Sequence, residues 1–196
     1  MNQHDQQTRL LFLDRDGIIN EDKGYVGNKA AFNFIPGIFE VVEAFVEHGF
    51  LPVVVTNQSG IGRGYYTESD FHNLTQWMRE AFAEKGMPFM PVYFCPHHPT
   101  EAYPPYKKHC DCRKPGPGML LSAASDLGAD LSKSVLLGDS WRDIQAGAAA
   151  GLGSQCYVSE QPQPTPPLSN ACVFQADNVA QVLGLVPQII AATKTG

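Results

Sequence analysis

The chain predicts an α/β fold, a mainly parallel sheet sandwiched between helices in three layers. Three observations carry that prediction. Short apolar runs alternate with amphipathic stretches along the chain. The runs end in polar or acidic residues followed by glycine, as strands do when they feed a turn. No stretch approaches the ~20 apolar residues that would span a bilayer, and no internal repeat points to a solenoid.

Arg9 to Asp14 (RLLFLD) is a short apolar run ending in an acid, and reads as the first strand. Ile38 to Val46 has helical spacing after Pro36-Gly37, and Gly49 ends it. Leu51 to Thr56 (LPVVVT) is a β-branched run that suits a buried strand. Thr67 to Lys85 reads as a long amphipathic helix. Thr67 is its N-cap, Asp70 stands three residues on, and Gly86 terminates it. Phe71, Leu74, Trp77, Met78 and Phe82 share one face of that helix and form a core-facing stripe.

Pro91 to Cys95 is a third strand, Gly118 to Leu127 a helix, Ser134 to Leu137 a strand, and Asp143 to Ala150 a helix closed by Gly151. Gln155 to Val158 is another strand. The proline-rich Ser159 to Ser169 reads as a surface connection, and Asp177 to Ala192 as a C-terminal helix. In parallel sheets ligands bind beyond the carboxyl ends of the strands, so those ends are where chemistry belongs.

The 196 residues suit one domain spanning 1–196, and 43% hydrophobic content with 17% charge gives it a core to bury. The net charge of −6 argues against a general attraction to nucleic acid or anionic membrane. The polar segment Met1 to Thr8 lacks the apolar centre of a signal peptide, which makes the expected location cytoplasmic. Of five cysteines, three crowd between Cys95 and Cys112, and in a reducing compartment such crowding favours metal over a disulfide framework. Cys156, inside a predicted strand, reads as a core residue, and Cys172 as structural.

Four motifs fall at strand ends. Leu11-Phe12-Leu13-Asp14-Arg15-Asp16-Gly17 delivers two carboxylates into a turn, where their repulsion invites a divalent cation such as magnesium. Taken alone, Asp-x-Asp-Gly is also ordinary turn chemistry. Thr56-Asn57-Gln58-Ser59-Gly60 offers a hydroxyl, two amides and a glycine-rich turn able to aim backbone N–H groups at an anion. Arg113-Lys114-Pro115 sets two cations just ahead of a helix, Lys114 as a point charge for a phosphoryl group and Arg113 as a fork for a second anion. Val135 to Gly138 runs into Asp139, a further metal ligand, with Asp143 either facing the same point or serving as a helix N-terminal acid.

Asp-x-Asp-Gly, Thr, Lys-Pro and Gly-Asp-x-x-x-Asp, in that order, resemble the motifs of the haloacid-dehalogenase-like phosphatases from about Leu10 to Val158. Asp22-Lys23-Gly24-Tyr25, Cys95-Pro96-His97-His98-Pro99 and Cys110-Asp111-Cys112 narrow the resemblance to the histidinol-phosphatase-like branch. The resemblance implies a Rossmann-like fold and a magnesium-dependent phosphoric monoester hydrolase. In it Asp14 is the nucleophile, Asp16 the general acid and base, and Thr56 and Lys114 stabilise the phosphoryl group. Magnesium would bind the Asp14 carboxylate, the Asp16 main-chain carbonyl and Asp139. Substrate contacts would come from Asp22, Lys23, Gly24 and Tyr25, from Thr56, Asn57, Gln58 and Ser59, and from Arg113 and Lys114.

The implied substrate is a small sugar bisphosphate, met by a monomer with neither nucleic acid nor membrane as partner. Ile18 and Ser140 depart from the pattern, standing where some relatives carry Thr and Lys.

Cys95, Cys110 and Cys112 with His97 supply three thiols and one imidazole, a set suited to tetrahedral structural zinc with no open position. His98 is an alternative imidazole, and the Cys-x-His pattern of the family favours His97. The interval from Thr56 to Lys114 holds one helix and this zinc loop at 95–112, which leaves no room for a large cap domain. Two further readings of the chain are histidinol-phosphate phosphatase and a non-catalytic metal-binding interaction module.

Overall fold

Six short apolar segments pair side by side into one wholly parallel sheet in the computed structural model, which describes residues 8–164 and 172–193. They are β1 (Arg9–Leu13), β2 (Phe50–Asn57), β3 (Val92–Cys95), β4 (Val135–Gly138), β5 (Ser154–Val158) and β6 (Val173–Ala176), in the order β3-β2-β1-β4-β5-β6. The helices are α1 (Ile38–Glu47), α2 (Ser59–Gly62), α3 (Glu68–Ala83), α4 (Gly118–Leu127), α5 (Trp141–Ala150) and α6 (Val179–Ala191).

Alternation along the strands sorts the side chains between two cores. Leu11 and Leu13 of β1, Val54 of β2 and Leu137 of β4 point to the face covered by α1, α3 and α6. Leu10, Phe12, Val53, Val55 and Leu136 point to the opposite face, covered by α4 and α5. The sheet is therefore apolar on both sides, which is why its strands read as continuous hydrophobic runs.

The expected elements appear with ends shifted by a residue or two. The stripe on α3 is core: Phe71, Leu74, Met78 and Phe82 are buried, and Trp77 packs edge-on against Phe32. Thr67 and Asp70 form a reciprocal capping box at its start. Two elements were not read from the sequence, the four-residue helix α2 and the strand β6. Cys156 lies fully buried in β5, whereas Cys172 is exposed, so the structure does not support a packing role for it. Residues 165–169 of the proline-rich connection and 1–7 of the N-terminal segment lie outside the described residues.

In this strand order the direction in which strands are added reverses between β1 and β4, and the crevice beyond their carboxyl ends is the expected ligand site. Between β2 and Lys114 the described elements are only α2, α3, β3 and the loop after it, so no cap domain covers that crevice. Among the described residues no helix is long and apolar enough to cross a membrane.

Candidate active site

A cleft of about 440 Å³ opens at the carboxyl ends of β1, β2 and β4. Its floor begins with Asp14, one residue past β1, whose backbone N–H donates to Leu137 O of β4 across 3.1 Å. Lys114 reaches the same floor from the loop before α4. Its ammonium, 2% exposed, donates to Asp14 Oδ1 at 2.9 Å, to Asp143 Oδ1 at 2.7 Å and to Val55 O at 2.7 Å. Burial opposes its charge, but Asp14 and Asp143 more than offset this and hold Lys114 above the ordinary lysine range.

Carboxylate oxygens of Asp14, Asp139 and Asp143 lie within 4.8 Å of one another. Burial pushes Asp14 up to about 6 against the pull of Lys114. Burial, reinforced by Asp14 and Asp143, pushes Asp139 up to about 8. One lysine does not neutralise three clustered acids, and an all-oxygen donor set with surplus negative charge fits a hard divalent cation. Gly17 makes the cluster possible: a Cβ there would fall 2.0 Å from Asp139 Oδ2.

Asp16 lines the same cleft, with its carboxylate held by three side chains. Arg15 Nη2 donates to both of its oxygens at 2.9 Å, Asn20 Nδ2 to Oδ1 at 2.9 Å, and Gln58 Nε2 to Oδ2 at 2.9 Å. These donors fix the Asp16 rotamer beside the floor. Gln58 also donates to Thr56 Oγ1 at 2.8 Å, which leaves the threonine O–H free to donate into the cleft. Gln58 is aimed in turn by the Tyr66 hydroxyl, which donates to its Oε1 at 2.5 Å. Burial pushes the Tyr66 phenol up to about 12, which keeps it a donor.

Asn57 clamps the main chain of Lys114. Its Nδ2 donates to Lys114 O at 3.1 Å and its Oδ1 accepts from Lys114 N at 3.0 Å, extending the end of β2 by one pseudo-pair. The glycine-rich turn from Ser59 coils into α2, with Ser59 and Gly60 lining the cleft. Gly60 is glycine there because a Cβ would lie 2.4 Å from the Tyr66 ring.

The rim carries the remaining expected contacts. Asp22, Gly24 and Tyr25 line it, with Asp22 Oδ1 accepting from Gly24 N at 2.9 Å in a tight turn. Tyr25 stacks against Tyr65 at 4.6 Å and under the Arg63 guanidinium at 5.4 Å. Lys23 is not among the lining residues and pairs with Glu21 at 3.2 Å. Ser59 and Arg113 line the cleft, Arg113 donating to His97 O at 3.2 Å.

Sequence reading passed over Arg63, Tyr66, His98 and Arg142 as lining residues and left Asp143 open. The spacing Ser140-x-x-Asp143 is a capping-box signature that could have placed Asp143. Its carboxylate accepts from Ser140 N at 3.0 Å and also meets Lys114, so both roles considered for it coexist. Nothing local announces Tyr66, whose partner is set by the return of α2.

The second cluster stands beside the rim. Cys112 Sγ lies 3.1 Å from Cys95 Sγ and 3.3 Å from both Cys110 Sγ and His97 Nδ1, and Cys95 lies 3.6 Å from Cys110 and from His97 Nδ1. These separations are far beyond a disulfide bond of about 2.05 Å. They approach the edges of a tetrahedron built on metal–sulfur bonds of about 2.3 Å. Burial pushes the Cys95 thiol up. A set of thiols so close together is the donor chemistry of a soft or borderline cation. His98 is not part of it: its Nδ1 accepts from Glu101 N at 3.0 Å.

Comparison with known proteins bears on this arrangement. A family model described as HAD-hydrolase-like matches residues 111–181. D-glycero-alpha-D-manno-heptose-1,7-bisphosphate 7-phosphatase of Burkholderia mallei is 50% identical over 155 residues, covering 79% of this chain and 82% of that protein. The family is that of the heptose-1,7-bisphosphate 7-phosphatases, and the chain belongs to it. The beta-anomer enzyme of Vibrio cholerae is likewise 50% identical over 148 residues, covering 76% of this chain and 80% of its own. Among solved structures, D,D-heptose 1,7-bisphosphate phosphatase from B. bronchiseptica, complexed with magnesium and phosphate, superposes with a TM-score of 0.75. It is 27% identical and covers 92% of this chain and 99% of that one. The haloacid-dehalogenase-like resemblance and the parallel three-layer fold expected from the motifs agree with these findings.

Proposed function

We propose that this protein hydrolyses the 7-phosphate of D-glycero-D-manno-heptose 1,7-bisphosphate, giving heptose 1-phosphate and inorganic phosphate. The observation that carries the reading is the buried Asp14, set between Lys114 and the carboxylates of Asp139 and Asp143 at the strand switch point. Its family membership supports the substrate.

An oxygen of Asp14 attacks phosphorus, the bond to the sugar oxygen breaks, and Asp16 gives that oxygen its proton. Asp16 then takes a proton from water as the water attacks phosphorus, and the Asp14–phosphorus bond breaks to release phosphate and restore the carboxylate. The Thr56 hydroxyl and the fixed charge of Lys114 favour the phosphoryl oxygens. Asp14 and Asp139, with the Asp16 carbonyl, would hold magnesium, which supplies charge neutralisation when bound. Asp143 faces the same point and would complete the acidic floor through Lys114. Asn57 and Gln58 serve by orienting Lys114, Thr56 and Asp16, and Asp22 to Tyr25 with Arg113 meet the sugar side.

Cys95, His97 through Nδ1, Cys110 and Cys112 would hold structural zinc, with Arg113 and Lys114 following directly on the last ligand. Unpaired thiols at that spacing suit a reducing compartment, the cytoplasm. As a monomer the protein would act on a small molecule.

Turnover of the heptose bisphosphate beside histidinol phosphate tests the reading. We expect kcat/KM for the heptose ester to be higher by at least about a hundredfold, the discrimination that polar complementarity supports. A better rate on histidinol phosphate, or none on either, sinks it.

A further inference from the structure

Tyr66 lines the catalytic cleft without a part of its own in the hydrolysis. It follows α2, and two glycines give its ring a seat. A Cβ on Gly27 would fall 2.5 Å from ring carbon Cδ1, and one on Gly60 2.4 Å from Cε1. Backbone therefore closes on that edge of the ring, and the hydroxyl has little freedom to wander.

The hydroxyl donates to Gln58 Oε1 at 2.5 Å. Gln58 lies between β2 and α2 and is 1% exposed. Its amide nitrogen carries two hydrogens and serves two acceptors, Asp16 Oδ2 at 2.9 Å and Thr56 Oγ1 at 2.8 Å. With Tyr66 on its carbonyl oxygen, both ends of the buried amide are paired, and each bond polarises the next.

Of the three side chains that donate to Asp16, Arg15 and Asn20 belong to its own turn, so they move with it. Gln58 comes from the end of the neighbouring strand. It is the donor that sets the Asp16 carboxylate against Thr56 and the cleft floor. Without the phenol, Gln58 Oε1 would be a buried acceptor with no donor, and the amide would gain by turning toward water in the cleft. Its hold on Asp16 would go with it.

We infer that Tyr66 is a positioning residue for proton transfer: through Gln58 it holds the Asp16 carboxylate where it can protonate an alkoxide leaving group. This rests on the reading of Asp16 as the group that gives the leaving oxygen its proton.

Steady-state kinetics of wild type, Y66F, Q58A and the double variant test it. Y66F keeps the ring in its seat, so it should fold, and Tm checks that. Heptose 1,7-bisphosphate and glycerol 2-phosphate release alkoxides that need a proton, whereas p-nitrophenyl phosphate releases a phenolate that does not. In Y66F kcat/KM for the two alkyl esters falls about tenfold, and that for p-nitrophenyl phosphate changes by no more than about threefold. Q58A shows the same split, and adding Y66F to Q58A removes nothing further. A split absent in Y66F, or losses that multiply in the double variant, overturn the assignment.

Glycerol 2-phosphate and Asp16→Asn keep the readings apart. If wild type turns over glycerol 2-phosphate but not the heptose ester, the substrate reading fails, and the split on glycerol 2-phosphate still decides for or against Tyr66. If Asp16→Asn, read in a single turnover, slows alkyl and nitrophenyl esters alike, the acid itself is misassigned and Tyr66 falls with it. If Asp16→Asn shows the split and Y66F does not, Tyr66 fails alone.

Discussion

The nucleophile's role proposed for Asp14 rests on its position as much as on its type. Asp14 is held at 2.9 Å from a buried ammonium, and its neighbours Asp139 and Asp143 are acids. Asp14→Asn keeps the shape and loses the attacking carboxylate, so turnover should drop below detection, at least about 10⁴-fold, while the protein stays folded with its Cys/His site loaded. Residual turnover near one per cent would remove Asp14 from the role. Gly17 carries a different constraint. Its φ of 92° and the 2.0 Å approach of Asp139 leave no space for a methyl. Gly17→Ala should cost about 1–3 kcal/mol of stability and displace Asp139. Magnesium activation should then need a much higher concentration, read from the magnesium dependence of kcat. At this scale the sequence was most legible where chemistry sits at a strand end. Asp14, Asp16, Thr56, Lys114 and Asp139 all line one cleft. The inner network was hidden, because nothing in the sequence shows the amides of Gln58 and Asn57 engaged with Asp16, Thr56 and the Lys114 backbone.

The Cys/His loop ties three elements together. Cys95 ends β3, Cys110 and Cys112 close the loop, and Arg113 and Lys114 follow without a spacer into the segment before α4. Stripping the zinc proposed there should therefore reach the cleft. After treatment with a strong chelator, or in Cys110→Ser, bound zinc should be lost and Tm should fall, consistent with structural sites that stabilise the fold outright. Turnover should also fall, and added magnesium should not restore it. Full activity in a zinc-free protein would detach the loop from the site. Helices and strands of the sandwich were read to within a residue or two, because both faces of the sheet are apolar and its helices carry clear stripes. β6 was missed because its four residues, Val173–Ala176, are half-buried at the sheet edge and show no strong run. α2 was missed because Ser59-Gly60-Ile61-Gly62 has the composition of a turn.

Across the whole molecule, charge is concentrated at one cleft. Three acids crowd around one lysine on the floor of the cleft, Arg63, Arg113 and Arg142 are among its other lining residues, and among the described residues no inserted domain screens them from solvent. That crowding of acids has a cost when no cation is bound. Asp14 at about 6 and Asp139 at about 8 lie above the ordinary aspartate value of 3.8. Between those values the folded protein retains protons that the unfolded chain has released, so this contribution to stability is present at low pH and fades as pH rises. With magnesium withheld, Asp139→Asn should be more stable than wild type by a margin that grows between about pH 5 and pH 8, and magnesium should close the gap. Comparing the two proteins cancels the opposite contributions of Glu21, Asp70 and Asp130, whose lowered pKa values act in more acidic solution. Thermal unfolding at several pH values measures it, and a margin that shrinks with pH contradicts the arrangement.

Asp143 joins two tasks in one carboxylate. One oxygen meets Lys114 and the other accepts the Ser140 N–H at the head of α5. Whatever enters or leaves the cleft and draws on Lys114 must tug on that amide as well. Its proton resonance becomes a natural gauge of occupancy, legible by NMR during turnover without a dye or a tagged sugar.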